Sequence, residues 1–580
     1  MRKKRRSYKM EKPWLAHYEE GVPAEIEIPE YPVMHNLVRT AERFPEHTAM
    51  IFGNVVEPLG DMLMDAKMDY RTFLDLTKHF AAALKALGVK KGDRVALHLP
   101  NCPQFPIVYY ATLWIGGIIV PCNPVYVARE LKYQINDAGA ETLVTLSLTY
   151  PMVEKIQADT SLKRVIVTNI KEYFPPLLKF LFTVATEKKE GHYQDISANP
   201  KAMWFQALLD GASDEAALAD VDMEDTAVLM YTGGTTGISK GAQLTHRNIQ
   251  ANALQTKAWF PQLVEGGEIV LTSLPLYHSY AMTTCMNLGI LLGGTLLLIP
   301  NPRILIHILK SINKHHPTLY PGVPALYVSL INHPDISNYD VSSIKACISG
   351  AAPLPVEVQQ QFQKLTKGRL VEGYGLSEAT PVTHANPIYG ENRVGTIGLP
   401  FPSTLARIVD AESGERDLPP GEVGELAVKG PQVMKGYWQM PTETANVLRD
   451  GWLYTGDIAQ MDEDGYFQIV DRKKDMILGA GGYNVYPREV EEVLYQHPKI
   501  EAGAAVGVPV PGKGERIKAF VVLKEGETAT EEEIIDFCKE NLAPYKVPRL
   551  VEFRDDLPMT MVGKVLRRVL LEEEMNKRSE

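Results

Sequence analysis

Residues 231–241 read Tyr, Thr, Gly, Gly, Thr, Thr, Gly, Ile, Ser, Lys, Gly. Gly233, Gly234 and Gly237 let the backbone turn tightly and bring its N–H groups close to a ligand. The hydroxyls of Thr235, Thr236 and Ser239 and the ammonium of Lys240 stand over the same small space. Donors, hydroxyls and a cation, with no carboxylate among them, suit phosphate. An ordinary Gly/Thr-rich surface turn is the alternative, and the closing Lys240 and Gly241 weigh against it. The loop is not a Walker A motif, where Lys directly follows the last glycine and Ser or Thr follows Lys. Here Ile238 and Ser239 intervene and Gly241 follows, so a P-loop NTPase is excluded.

Four further stretches carry chemistry. Tyr277, His278 and Tyr280 form an aromatic group behind an apolar run. Tyr374 stands between Gly373 and Gly375, with Glu378 just beyond. Asp457 closes the run Tyr454, Thr455, Gly456, and Arg472, Lys473 and Lys474 lie between Asp471 and Asp475. Lys564 follows Gly563 near the end of the chain. A site gathering them would bind ATP: Tyr374 against adenine, Asp457 accepting from ribose hydroxyls, Glu378 and a loop threonine on Mg2+, Lys240 and Lys564 on phosphate. Singly, each has a plain structural explanation. Asp457 suits a turn, Arg472 a surface ion pair, Lys564 a solvated face, Glu378 a helix start and His278 a satisfied core position.

The elements that must position these groups alternate in type. An apolar run at 227–230 leads into the phosphate loop as a buried strand. Upstream, residues 12–60 read as a lead-in with one short helix, Met34–Arg43. Helical spacing follows over 73–87, with Gly88 as its stop, then over 106–115 and 128–137. A turn and a buried strand read over 92–100, and strands over 118–121, 141–145 and 164–168. Such alternation predicts parallel sheets with helices on both faces. Residues 288–300 suit a buried helix, turn and strand, and a further strand-helix series runs from 304 to 364. From 395 to 465 short β-type runs with frequent Gly and Pro predict an antiparallel, β-barrel-like insert. From about 474 onward, strands near 502–508 and 518–523 and helices near 487–495 and 530–541 predict a small α+β unit.

The chain has 580 residues, enough for several domains. Its 60 basic and 71 acidic residues give a net charge of −11, which argues against nucleic-acid binding. The five cysteines are scattered and without metal-ligand spacing, which suits a reducing cytoplasm. The basic opening, Arg2 to Arg6, has no apolar run behind it, so it is not a secretory signal. No run reaches the roughly 18 apolar residues of a membrane span. Residues 173–185 are strongly apolar and too short to span. A packed surface helix is the expectation there, with shallow membrane contact as the sharper alternative.

These motifs, in this order, resemble the adenylate-forming superfamily of acyl-CoA synthetases, luciferases and peptide-synthetase adenylation domains. The resemblance covers nearly all of residues 35–570 and is greatest to bacterial long-chain fatty acid–CoA ligases. The runs 450–457, 470–476 and 483–489, with Lys12, Pro13 and Trp14 at the start, match that branch. The resemblance implies an α/β fold: a large N-terminal domain (1–472) of two stacked α/β subdomains plus a β-barrel-like part, with a small mobile α+β C-terminal domain (473–580). It implies two half-reactions, acyl-AMP formation from ATP and then thioester formation with CoA. By resemblance, Thr232, Gly233, Gly234, Thr235, Thr236, Gly237 and Lys240 hold the β- and γ-phosphates, and Thr236 and Glu378 stand on the Mg2+ side. Gly350, Ala351, Ala352, Pro353 and Tyr374 frame adenine, and Asp457 and Arg472 hold the ribose. Lys474 takes the hinge position, Lys564 is the adenylation lysine, and His278 borders the acyl carboxylate. Two departures from the family pattern stand out: an extra glycine within 479–482, and Met559 where a basic residue is common.

A peptide-synthetase domain places Asp at the position of His278, so an α-amino acid substrate is not expected. Small residues, Gly350, Ala351, Ala352 and Gly375, leave room for a long acyl chain. Each buried CH2 of such a chain contributes about 0.8 kcal/mol. Medium-chain or aryl-acid CoA ligases and fatty acyl-AMP ligases are the rival enzymes, and a catalytically silent ATP sensor is the rival from another class. The expected partners are a long-chain fatty acid and CoA, in the cytoplasm and with no nucleic acid. Peripheral contact with the inner face of a membrane and a homodimer stay open at this point.

Overall fold

The structure is a computed structural model that describes residues 12–56, 62–212, 216–232, 239–473, 475–478, 484–510, 514–560 and 565–579. Its first large sheet runs in the spatial order Gly436–Tyr437, Lys240–Thr245, Thr226–Thr232, Ile118–Pro121, Arg94–His98, Thr142–Leu146, Arg164–Thr168, Ala202–Trp204. From Thr226–Thr232 outward to Ala202–Trp204 every pairing is parallel. The first two strands pair antiparallel.

The second sheet places Met62–Asp69 beside Thr48–Val56, then Thr295–Leu298 and Ile269–Thr272. Parallel bridges through Leu319 join Val270 to Ala346. The sheet continues through Ala346–Ser349, Arg369–Gly375, Val382–Ala385 and Leu399–Pro400.

The two sheets stack over a shared core. Val95, Leu97, Val228 and Met230 from the first sheet join Met50, Phe52, Val270 and Ile348 from the second in one apolar cluster. The helix Gln104–Trp114 is buried along its whole length, so its continuous apolar run needs no polar face. The alternate residues Ala96, Leu143 and Val165 face the opposite way, beneath Leu131, Ile135 and Val153. This period of two, buried on both faces, is why these strands read as unbroken apolar runs.

Two expectations are corrected. Residues 12–60 hold more than a lead-in and one helix, because Thr48–Val56 forms a strand paired antiparallel to Met62–Asp69 and parallel to Thr295–Leu298. Its parallel partner comes from far along the chain, so no local pattern announces it. The barrel-like insert is an open sheet among the described residues: Leu405–Val409, Gly424–Lys429 and Trp452–Met461 pair in turn, and both Leu448–Arg449 and Phe467–Arg472 pair with Trp452–Met461.

Past Ile477 the chain builds cores of its own around the sheet Ile500–Val510, Gly514–Leu523 and Leu550–Phe553. The helices Pro487–Gln496, Glu531–Asn541 and Arg567–Ser579 lie against that sheet. Residues 173–185 do form a packed surface helix, Pro176–Leu181, which runs into the wide turn Phe182–Thr186. Leu178 and Phe182 are buried, and Phe174 stacks on Phe52 with ring centroids 5.3 Å apart. Leu177, Phe180 and Val184 are 56%, 61% and 65% exposed on the other side.

Candidate active site

The glycine- and threonine-rich segment expected to hold phosphate joins two antiparallel strands, and the residues at its ends are pinned. Thr232 pairs with Lys240 in register, and the Ser239 hydroxyl donates to the Thr232 carbonyl at 2.6 Å. Tyr133 donates to the Ser239 carbonyl at 2.8 Å. Gly233, Gly234, Thr235, Thr236 and Gly237 lie outside the described residues, as do Lys474, Lys564 and the extra glycine within 479–482.

Lys240 is held from two sides. Its ammonium pairs with Glu443, on the helix Pro441–Val447, and lies 5.3 Å from the centroid of the Tyr437 ring. Tyr437 in turn donates its hydroxyl to Oε1 of Glu378 at 2.8 Å. Burial, and then the Glu378 charge, push the Tyr437 phenol well above its ordinary range, so it stays a donor. The strand Gly436–Tyr437 reaches this place by pairing with Lys240–Thr245, and the Met434 N–H fixes the Glu378 carbonyl at 2.8 Å.

A second group forms around Asp457. Asp457 and Arg472 are direct partners on the neighbouring strands Trp452–Met461 and Phe467–Arg472. Arg472 Nε lies 2.6 Å from Asp457 Oδ1, and Tyr374 donates its hydroxyl to Oδ2. The Asp457 charge raises Arg472 above its usual value, so the guanidinium is fixed in its charged form. Asp457 is almost fully buried, yet each of its oxygens keeps a lone pair for a further donor.

His278 opens the short turn Ser279–Ala281, and its Nδ1 accepts from the Tyr280 N–H at 3.4 Å. Burial lowers its pKa to about 4, so the imidazole is neutral at physiological pH. This segment is stitched to the Glu378 segment. Ser279 and Ser377 share a hydrogen bond of 3.2 Å between their hydroxyls, and Thr283 donates to the Thr380 carbonyl at 2.6 Å.

Gly350 follows the strand Ala346–Ser349, and Ala351 comes next with φ of 67°, a left-handed conformation that costs an L residue strain. A Cβ on Gly350 would meet the Tyr280 ring at 3.1 Å. The small residue at 350 therefore admits Tyr280, whose hydroxyl donates to the Ile348 carbonyl at 2.6 Å, and the room expected for an acyl chain beside Gly350 is filled there. Ala352 and Pro353 continue the turn, and the Leu354 N–H donates to Glu372 at 3.1 Å.

The expected residues thus fall into two adjoining groups. Tyr374 and Glu378 lie four positions apart on one segment, and the Glu378 charge is felt at Arg472. Tyr437 and Glu443 were missed by sequence reasoning. Nothing local marks them, because their roles come from the pairing of Gly436–Tyr437 with a strand nearly 200 residues earlier. The described residues of these groups hold three carboxylates, Glu378, Glu443 and Asp457, two cations, Lys240 and Arg472, and beside them the neutral imidazole of His278.

The AMP-binding enzyme family model matches residues 37–438, and that of the AMP-binding enzyme C-terminal domain matches residues 489–564. The chain is 49% identical over 566 residues to a long-chain-fatty-acid–CoA ligase of Bacillus subtilis, covering 97% of this chain and 98% of that protein. It is 42% identical to a long-chain-fatty-acid–CoA ligase of Escherichia coli O6:H1, covering 98% and 99%. Among solved structures, ATP-bound MatB from Rhodopseudomonas palustris superposes with a TM-score of 0.79 at 29% identity, covering 94% of this chain and 99% of MatB.

Proposed function

This chain belongs to the AMP-binding enzyme family, and on that premise we propose that it is an ATP-dependent, AMP-forming long-chain fatty acid–CoA ligase. The observation that carries the reading is the 49% identity to a long-chain-fatty-acid–CoA ligase along nearly the whole of both chains. In the first half-reaction a carboxylate oxygen of the fatty acid attacks the α-phosphorus of ATP, and the bond to pyrophosphate breaks. In the second, the CoA sulfur attacks the acyl carbon, the thiol proton is lost, and the C–O bond to AMP breaks.

The residue roles follow the site. Lys240 and the loop 232–237 take the triphosphate, once Glu443 yields its place on Lys240. Asp457 and Arg472, already joined, receive the ribose, and Tyr374 and the turn 350–353 border the base. His278, neutral and beside the stitched Ser279–Ser377 contact, borders the fatty acid carboxylate without adding charge. Glu378, one carboxylate oxygen of which has no partner among the described residues, suits Mg2+ together with Thr236. That ion, when bound, neutralises charge developing on the phosphates. Lys564 serves the first half-reaction, and the boundary between the two domains is placed at 472/473.

The deciding experiment compares kcat/KM with CoA for acids from acetate to stearate, with benzoate and ferulate alongside. A maximum at C14–C18 acids is expected, and a maximum at acetate or at an aryl acid overturns the reading.

The acid's own partition into bilayers gives Leu177, Phe180 and Val184 a use as a shallow membrane contact. Flotation with anionic liposomes should carry the wild type upward and leave Leu177→Asp/Phe180→Asp below. A wild type that stays at the bottom removes this part of the reading.

A further inference from the structure

Tyr437 has no role in the reading above, yet its setting is unusually constrained. Its backbone pairs with Ala242, and its N–H donates to Thr444 Oγ1 at 2.9 Å. Thr444 donates in turn to the Met440 carbonyl at 2.9 Å. Gly436, directly before it, has φ of 149°, and a Cβ there would meet Thr444 Cγ2 at 2.8 Å. The Tyr437 side chain therefore enters the site from a fixed backbone, almost fully buried. Its hydroxyl reaches Glu378 Oε1 at 2.8 Å, and its ring lies under the Lys240 ammonium at 5.3 Å.

One residue thus touches both the carboxylate and the cation that a metal–triphosphate complex needs. A carboxylate on a single turn, Ser377–Ala379, has rotamers to spare. Hydrogen-bonding one oxygen removes that freedom and leaves the other oxygen to a cation. Outer partners of this kind orient metal ligands and typically set about 10–100-fold in metal affinity.

We propose that Tyr437 is a positioning residue for the divalent cation of this site, acting through its hydrogen bond to Glu378, while its ring supports Lys240 against the triphosphate. The proposal rests on the ligase reading for the presence of ATP and Mg2+, and it separates two contributions of one side chain. The hydroxyl governs the metal, and the ring governs the metal-independent part of nucleotide binding.

The test is calorimetric binding of α,β-methylene-ATP to the full chain, with and without Mg2+, and as a Mg2+ titration. Tyr437→Phe is expected to weaken the apparent Mg2+ affinity about tenfold or more, while binding without Mg2+ stays within about twofold. Tyr437→Leu is expected to weaken both. Equal weakening of Tyr437→Phe with and without Mg2+ would mark a merely structural role and overturn the proposal, as would an unchanged Mg2+ titration. If Tyr437→Phe does not fold, Tyr437→Leu carries the decision, and a loss confined to binding without Mg2+ overturns the proposal. A wild type whose nucleotide binding ignores Mg2+ overturns the reading of the site itself, a result distinct from failure of the Tyr437 variants.

Discussion

Arg567 grips Glu491 with both arms of its guanidinium, Nη2 to Oε2 at 2.5 Å and Nε to Oε1 at 2.8 Å. The same guanidinium faces Asp475 at 3.1 Å and the buried Asp471 at 3.5 Å. Asp471 lies one residue before the end of the strand Phe467–Arg472 and accepts the Arg488 N–H at 2.7 Å. Arg567 therefore ties the C-terminal helix Arg567–Ser579 to the helix Pro487–Gln496 and to the strand that carries Arg472. Burial raises Asp471 above its usual range, which makes the facing guanidinium its main compensation.

Removing that guanidinium leaves three carboxylates without their shared partner. Arg567→Ala is expected to destabilise the C-terminal unit by roughly 3 kcal/mol, the cost of an uncompensated charge in a half-buried network. Because Lys564 lies three residues before it, acyl-AMP formation should fall more than thioester formation from supplied acyl-AMP. Urea unfolding and the two partial reactions measured separately check both halves. Equal losses in the partial reactions would mean that Arg567 serves stability alone.

Glu443 pairs with the Lys240 ammonium, which the proposed function assigns to the triphosphate. Its side chain is 42% exposed, so the ion pair is weak, about 1 kcal/mol or less. Glu443→Gln should lower KM for ATP by about two- to fivefold with kcat little changed, and the effect should shrink as salt rises. Initial rates at 50 and 500 mM salt decide it, and a KM that rises would assign Glu443 to nucleotide binding.

Glu372 offers a pH test. Burial, the largest influence, pushes its carboxyl up to about 7, against the pull of Arg488 and the Leu354 N–H. The folded chain therefore binds this proton more tightly than the unfolded chain does. Stability falls as pH rises from about 4.5 to about 7, and the penalty is complete above that window. Glu372→Gln keeps an acceptor for Leu354 and removes the charge. It should flatten the pH dependence of the melting temperature between those values and stabilise the protein at pH 8 by up to about 3 kcal/mol. An unchanged slope across the window would mean that Glu372 is not the titrating group.

Local pattern by itself determined much of the chain. The runs at 118–121 and 164–168 are strands with those bounds, because an apolar strand buried on both faces leaves no other period. Met34–Arg43 is a helix as read, and the antiparallel strand Gly424–Lys429 lies where β-type residues placed it. The expectation of phosphate binding at 231–241 rests on glycine, hydroxyl and lysine spacing alone. Tertiary structure alone decided which distant residues meet. Thr48–Val56 takes its parallel partner from Thr295–Leu298, and Asp457 meets both Tyr374 and Arg472. Tyr437 and Glu443 converge on Lys240 from a segment nearly 200 residues away. Periodicity reports which face of an element is apolar, but it carries no record of which other element that face will find. Partners at such separations are selected by the packing of the whole core, where burial of two stacked sheets fixes every register at once.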